Sequence, residues 1–378
     1  MSLVIDRLTS DGPPHDEKIR AFLAEHTFPF VEGTSVTFVY YGEADAVYLQ
    51  HFIYGLPTSQ PFSRLAGTNL WWKVLDLPLA SRLQYKINVA QGDNHRWILD
   101  PRNPERATDP FGANSVVATA GAERPDWTLP DDDTRQGRLV ERTFDSAALG
   151  GTCHYYLYLP ARYRTTRRYP LLVAHDGRDY LRFSSLKTVL DNLIHRLEMP
   201  PMIVALVDPG DRLVEYANDE RHARFLVEEL VPALEDELPL RGEPNGRGIM
   251  GASFGGVASF STAVRYPGFF DRLFLQSGSF AFTDIGENPR GPAFAPVVDF
   301  MNQYRSRPER VAGKVFVSCG TYESLIYENR SIVPLLQDTG MTVRYVEARD
   351  GHNWENWRDR MREGLSWLFP GPLWMVYE

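Results

Sequence analysis

The sequence predicts two domains in series: an all-β sandwich, then an α/β domain built on a mostly parallel, doubly wound sheet. Three observations carry this reading. The N-terminal third holds short runs of β-branched and aromatic residues, each bounded by Gly, Pro, Asp or Ser, as antiparallel sandwiches do. Beyond residue 138 continuous apolar runs alternate with amphipathic stretches, the pattern of buried parallel strands covered by helices. Between the two parts the apolar period is lost.

Composition narrows the class. A chain of 378 residues is long enough for two domains. Its formal charge of -9 argues against a nucleic-acid partner. The two cysteines, Cys153 and Cys319, lie far apart without metal-site spacing, so neither a disulfide framework nor a metal site is expected. The N-terminal stretch is polar and acidic, unlike a signal peptide. No apolar run approaches the roughly 20 residues that span a bilayer. The expected location is therefore the cytoplasm, with no membrane partner. The sequence leaves the oligomeric state open.

In order, residues 16–25 fit a short helix with Ile19, Phe22 and Leu23 on one side. Residues 35–41, 46–52, 71–77 and 83–89 read as strands. The first domain is drawn over 1–117. Within it Trp71 and Trp72 invite a glycan-binding reading, set against the plainer one in which strand aromatics fill a sandwich core. Residues 118–137, rich in breakers, read as a linker, with Trp127 pinning it to a domain surface. The second domain covers 138–378. Residues 139–144 and 153–159 form a hairpin. Strands follow at 169–175 and 202–207, with a helix from the first of these to about residue 198. Residues 221–238 form an amphipathic helix with Phe225, Leu226, Leu230, Val231 and Leu234 on one side. Further strands fall at 273–277, 314–318 and 341–346.

The chemistry centres on Gly251, Ser253 and Gly255, which spell G-x-S-x-G after an apolar run and before a helix-compatible one. This is the context of a nucleophile elbow, where a serine sits on a strained strand-to-helix turn and flanking glycines let the backbones pass. In α/β-hydrolases the order along the chain is nucleophile, acid, histidine. Of nine histidines only His352 follows Ser253, in a polar loop after the last expected strand. His352 is accordingly the expected base. Glu323, the first carboxylate after the 314–318 strand, is the expected acid. Glu328, a turn into the next helix, and Asp284 are the alternatives. Asp350 is too near His352 in sequence to orient it.

Acyl transfer also needs an oxyanion hole. The Phe254 N–H, next after the nucleophile, is one expected donor, and the Arg178 N–H, in the loop after residue 175, is the other. Arg212 lies on the loop after the 202–207 strand, at the sheet edge where ligands bind. It is expected either to hold an acidic or phenolic substrate group or to form a surface ion pair. The reaction these residues imply is acylation of Ser253 by an ester and hydrolysis by water, without metal or organic cofactor.

Two groups of motifs carry a resemblance. In the first domain, the W-x-lysine and Y-K-I strands followed by D-P-R-N-P and D-P-F-G resemble the immunoglobulin-like domain of glycogen-branching-type enzymes and enterochelin esterases. In the second, H-D-G-R-D-Y, the segment 207–216, G-A-S-F-G-G and G-H-N-W-E-N-W resemble esterase D-type α/β-hydrolases. The two-domain layout is similar to that of enterochelin esterases, which implies a serine esterase opening a siderophore trilactone in the cytoplasm. Trp354, two residues past the histidine, is then a substrate contact. The chain departs from that family at Ala252, where glutamine is usual, and in the histidine loop. Feruloyl esterases, S-formylglutathione hydrolases and mycolyltransferases share the superfamily. An acyltransferase with the same triad, or a glycan-binding protein with an inactive hydrolase domain, remain as alternatives.

Overall fold

The computed structural model describes residues 3–9, 14–283 and 291–372. The chain folds into two compact units. One comprises residues 1–124 with 321–323 and 348–353, and the other comprises 125–320, 324–347 and 354–378.

The first unit begins with two short helices, α1 (Val4–Thr9) and α2 (Asp16–Glu25). Ten strands follow: β1 (Phe30–Glu32), β2 (Ser35–Tyr41), β3 (Ala46–His51), β4 (Ser59–Pro61), β5 (Ser63–Arg64), β6 (Leu70–Asp76), β7 (Arg82–Gln91), β8 (Asn94–Ile98), β9 (Arg106–Asp109) and β10 (Gly112–Ala118). They make two antiparallel sheets, ordered β1-β2-β6-β5 and β4-β3-β7-β10-β9, with β8 on β7. Strand residues alternate between faces, so Val36 and Phe38 of one sheet meet Val47, Leu49 and Ile87 of the other in a shared core. The opposite face of the first sheet is covered by Ile5, Leu8, Ile19 and Phe22 of α1 and α2.

The same alternation places Trp71 and Trp72. Trp71 is buried in the inter-sheet core, its Nε1–H donating to Gly42 O at 3.2 Å. Trp72 points the other way and packs against the cluster under α1 and α2. The two indoles fill apolar layers; they do not form an exposed platform for a sugar.

The second unit is an α/β-hydrolase fold. Its sheet joins β11 (Arg138–Ser146), β12 (Gly151–Leu159), β13 (Leu171–His175), β14 (Ile203–Val207), β15 (Arg247–Ala252), β16 (Arg272–Gln276), β17 (Lys314–Gly320) and β18 (Thr342–Ala348). The order is β11-β12-β14-β13-β15-β16-β17-β18. β11 and β12 form the antiparallel hairpin, and β14, β13, β15, β16 and β17 run parallel. β13 and β14 are buried at every position, as the continuous apolar runs require. Helices α3 (Gly177–Phe183), α4 (Leu186–His195), α5 (Arg212–Glu215), α6 (Glu220–Arg224), α7 (Val231–Glu237), α8 (Phe254–Arg265), α9 (Ala295–Ser306) and α10 (Ile326–Asp338) lie between the strands, and α11 (Trp354–Asp359) and α12 (Met361–Leu368) follow β18.

Two expected helices are interrupted. The one after β13 breaks into α3 and α4 at Ser185, which takes a left-handed conformation with φ 51°. The one over 221–238 contains a π-helical turn, Phe225–Leu230, between α6 and α7. Pro232 lacks the N–H that an unbroken ladder needs there. Trp127 is buried in the core of this unit, and Asn192 Nδ2 donates to the carbonyls of Trp127 and Leu129, both at 2.9 Å. Among the described residues no helix is long and apolar enough to cross a membrane.

Candidate active site

β15 ends at Ala252 and α8 begins at Phe254, so Ser253 alone makes the turn between them. Its backbone sits at φ 58°, ψ -121°, a region that costs a non-glycine residue about 1–3 kcal/mol. The surroundings enforce it. A Cβ on Gly251 would lie 2.3 Å from the carbonyl oxygen of Gly255, so only glycine lets strand and helix pass this closely. The Ser253 N–H donates to Gln276 O at 2.9 Å, and its carbonyl accepts from the Ser279 N–H at 3.1 Å. The Ser253 and Ser279 hydroxyls are 3.2 Å apart.

The loop beneath the serine is itself tied down by buried polar groups. The Gln276 amide accepts from Tyr180 OH and donates to Trp357 O, both at 2.7 Å. Asn329 exchanges two hydrogen bonds with the backbone of Gly278. None of these residues stands out in sequence, because an amide inside an apolar run carries no local signature of its partners. The Phe254 N–H, first in α8, has no acceptor within the helix and lies at the positive end of its dipole.

The other expected donor is already engaged. Asp176 caps α3 in a left-handed conformation, and the Arg178 N–H donates to Asp208 Oδ1 at 2.9 Å. Burial pushes the Asp208 carboxyl above its ordinary range. Arg212 is likewise committed. Its Nε and Nη2 each donate to Asp176 at 2.8 Å, and its guanidinium lies 5.6 Å from the Tyr216 ring centre. Of the two sequence readings for Arg212, the bidentate ion pair is the one observed. These residues border a cavity of about 430 Å³ whose lining includes Asp179, Glu215 and His154.

Trp354 corrects the expectation placed on it. It is 7% exposed and packs edge-on against Tyr180 and Trp357, with ring centres 5.1 and 4.7 Å away. Its indole is part of the core of the second unit and is not available to a substrate.

A buried histidine pair has no counterpart among the sequence expectations. His175, at the end of β13, contacts Met250 O and Ser259 Oγ through Nδ1, each at 3.0 Å, and His222 Nε2 through Nε2 at 3.0 Å. Burial, then the neighbouring His222, hold its pKa well below the ordinary histidine value. It serves as a neutral, structural group under the elbow.

In the first unit, Glu323 and His352 are brought together. His352 Nδ1 lies 2.7 Å from Glu323 Oε2. Glu328 falls inside α10, as expected. Asp284 lies outside the described residues. Asp350 is not an acid for the histidine. Its Oδ1 accepts from the Gly351 N–H and from Asn353 Nδ2, both at 2.8 Å, and its other oxygen is bonded by Arg82. Among the described residues no group of three or more His, Cys, Asp or Glu side chains is placed to hold a metal ion.

A family model described as putative esterase matches residues 146–368. An uncharacterised Bacillus subtilis protein, YjcH, is 30% identical over 150 residues, which is 38% of this chain and 62% of that one. The iron(III) enterobactin esterase of Escherichia coli K12 is 23% identical over 334 residues, 81% of this chain and 82% of the relative. Among solved structures, the enterobactin esterase of Shigella flexneri, determined in the presence of enterobactin, superposes with a TM-score of 0.71. It is 20% identical, over 91% of this chain and 94% of that one. At that identity the likeness speaks for the fold.

Proposed function

Because the chain belongs to the putative esterase family and is a carboxylic ester hydrolase, we propose that Ser253, His352 and Glu323 are its nucleophile, base and acid. The observation that carries this reading is the backbone of Ser253, a non-glycine residue held at φ 58° between two glycines at the head of α8. Such strain persists where surrounding structure over-determines it.

In the proposed reaction His352 accepts the Ser253 hydroxyl proton while Oγ attacks the ester carbonyl. Glu323 holds the imidazole and stabilises the imidazolium. The Phe254 N–H receives the developing oxyanion. The Arg178 N–H is the second donor only if Asp208 gives way. His352 returns the proton to the leaving alcohol, then activates the water that cleaves the acyl-enzyme.

For the substrate we propose a siderophore-type trilactone. Its support is the similarity to iron(III) enterobactin esterases along four-fifths of the chain. The test has two parts. p-Nitrophenyl ester turnover is expected to fall at least about 10³-fold in Ser253→Ala, and full activity in that variant overturns the nucleophile. A panel of esters that includes the catecholate trilactone, followed by mass spectrometry, is expected to show preferred opening of the trilactone. Equal turnover of simple esters removes the substrate proposal. Acyl transfer to added alcohol in the same assay identifies an acyltransferase.

A further inference from the structure

The base and acid of the proposed triad lie on two loops that join the β-sandwich strands in one compact unit, and the bonds within that unit converge on two adjacent sandwich residues. Ser81 pairs with Arg349 as an isolated bridge, and the Arg82 N–H donates to Arg349 O at 2.9 Å. The Arg82 guanidinium bonds the Asp350 carboxylate, and both side chains are almost wholly buried. Asp350 then grips its own loop on either side of His352, through the Gly351 N–H and Asn353 Nδ2. The second loop is held from the same place. Tyr322, next to Glu323, shares a 2.6 Å hydrogen bond between its hydroxyl and Ser81 Oγ. Its carbonyl accepts from the Tyr54 N–H at 2.9 Å, its N–H donates to Asp350 O at 3.1 Å, and its ring packs on the sandwich core. Ser81 is fixed in turn by Thr119, through two bonds of 2.9 Å.

We infer that Arg82 and Ser81 of the β-sandwich are positioning residues for catalysis, setting the His352–Glu323 geometry through Asp350 and Tyr322. The inference rests on the reading of His352 and Glu323 as base and acid. Its physical content is that two loops are given one geometry. A buried guanidinium whose Nη2 bonds a buried carboxylate oxygen has little freedom to move, and the groups flanking His352 hang from that carboxylate. Here one carboxylate oxygen faces the sandwich and the other faces the histidine loop, so displacement of the pair is passed to the imidazole.

The test uses the full-length protein and compares kcat with KM. Arg82→Gln is expected to lower kcat about 10²-fold, the order of loss that a 1 Å misplacement brings, with KM changed by less than about twofold. Arg82→Lys, which keeps the charge but not the planar guanidinium, is expected to recover part of that loss. Tyr322→Phe removes only the bond to Ser81 and is expected to lower kcat several-fold, again at constant KM. Circular dichroism at the assay temperature gives the folded fraction of each variant. Where Arg82→Gln does not fold, Tyr322→Phe decides. Wild-type kcat per folded molecule in Tyr322→Phe and in any folded Arg82 variant overturns the inference, provided that Ser253→Ala and His352→Ala are inactive. If those two variants stay active, the catalytic reading itself fails and takes this inference with it.

Discussion

His352 Nδ1 lies 2.7 Å from Glu323 Oε2, with the glutamate side chain 1% exposed and the imidazole 38% exposed. A carboxylate oxygen can only accept, so the proton of this bond sits on Nδ1, and it is the neutral form of that tautomer that leaves a lone pair on Nε2. A buried acceptor on one ring nitrogen and a solvent-accessible ring is the arrangement a general base needs.

Glu323→Gln is expected to lower kcat about 10³- to 10⁴-fold, because the amide can donate to Nδ1 and favour the wrong tautomer. The thermal midpoint should move little by comparison. Steady-state ester hydrolysis and a thermal melt check both. Activity within tenfold of wild type removes Glu323 as the acid.

Gly251→Ala is expected to destabilise the second unit by about 1–3 kcal/mol or more, the cost of forcing atoms into a filled space, because its Cβ meets Gly255 O at 2.3 Å. Gly151→Ala is the matched control. A Cβ there meets nothing within 4 Å, and the change should stay within about 0.5 kcal/mol. Urea denaturation of the two variants side by side tests the difference. Equal stabilities mean that the elbow relaxes around the new methyl.

Trp354→Ala is expected to cost about 3–5 kcal/mol, as large-to-small core substitutions of aromatics do, with KM of the folded enzyme unchanged. A several-fold rise in KM with wild-type stability would instead place the indole against substrate.

His175 sets a pH dependence of stability. Burial depresses its folded pKa well below the ordinary 6.5. Above that value neither the folded nor the unfolded histidine is charged, and the residue adds no pH dependence. As pH falls through about 6.5 the unfolded chain takes up a proton that the folded site refuses, so stability declines until the folded value is reached. The loss is at most about 1.4 kcal/mol per pH unit for one proton. His175→Gln is expected to show a shallower decline between about pH 6.5 and 5 in denaturant titrations. An unchanged slope shows that other groups set the acid limb.

Much was legible in the sequence because it was written in neighbouring residues. The two sheets follow from runs of strand-forming residues and their breakers, the parallel order from continuous apolar strands such as Leu171–His175 and Ile203–Val207, and the elbow from Gly251, Ser253 and Gly255. The pairing of Glu323 with His352 could be anticipated because strand ends fix where each loop leaves a parallel sheet. Where two helices were expected unbroken, the backbone at Ser185 and the π-turn before α7 changed the local path without altering the apolar pattern.

Only the tertiary structure decided which partner each loop side chain takes. Arg212 finds Asp176, 36 residues away, and so becomes a bidentate ion pair. The Arg178 N–H finds Asp208. Trp354 turns inward against Tyr180 and Trp357. Asp350, too near His352 in sequence to be its acid, meets Arg82 across 268 residues and becomes the link between a sandwich strand and the histidine loop. The physical reason is common to the three polar contacts. A periodic pattern specifies which face of an element is buried, since that depends on residues two to four apart. A polar side chain on a loop takes whichever donor or acceptor the packing of distant segments brings within about 3 Å, and no local pattern encodes that choice.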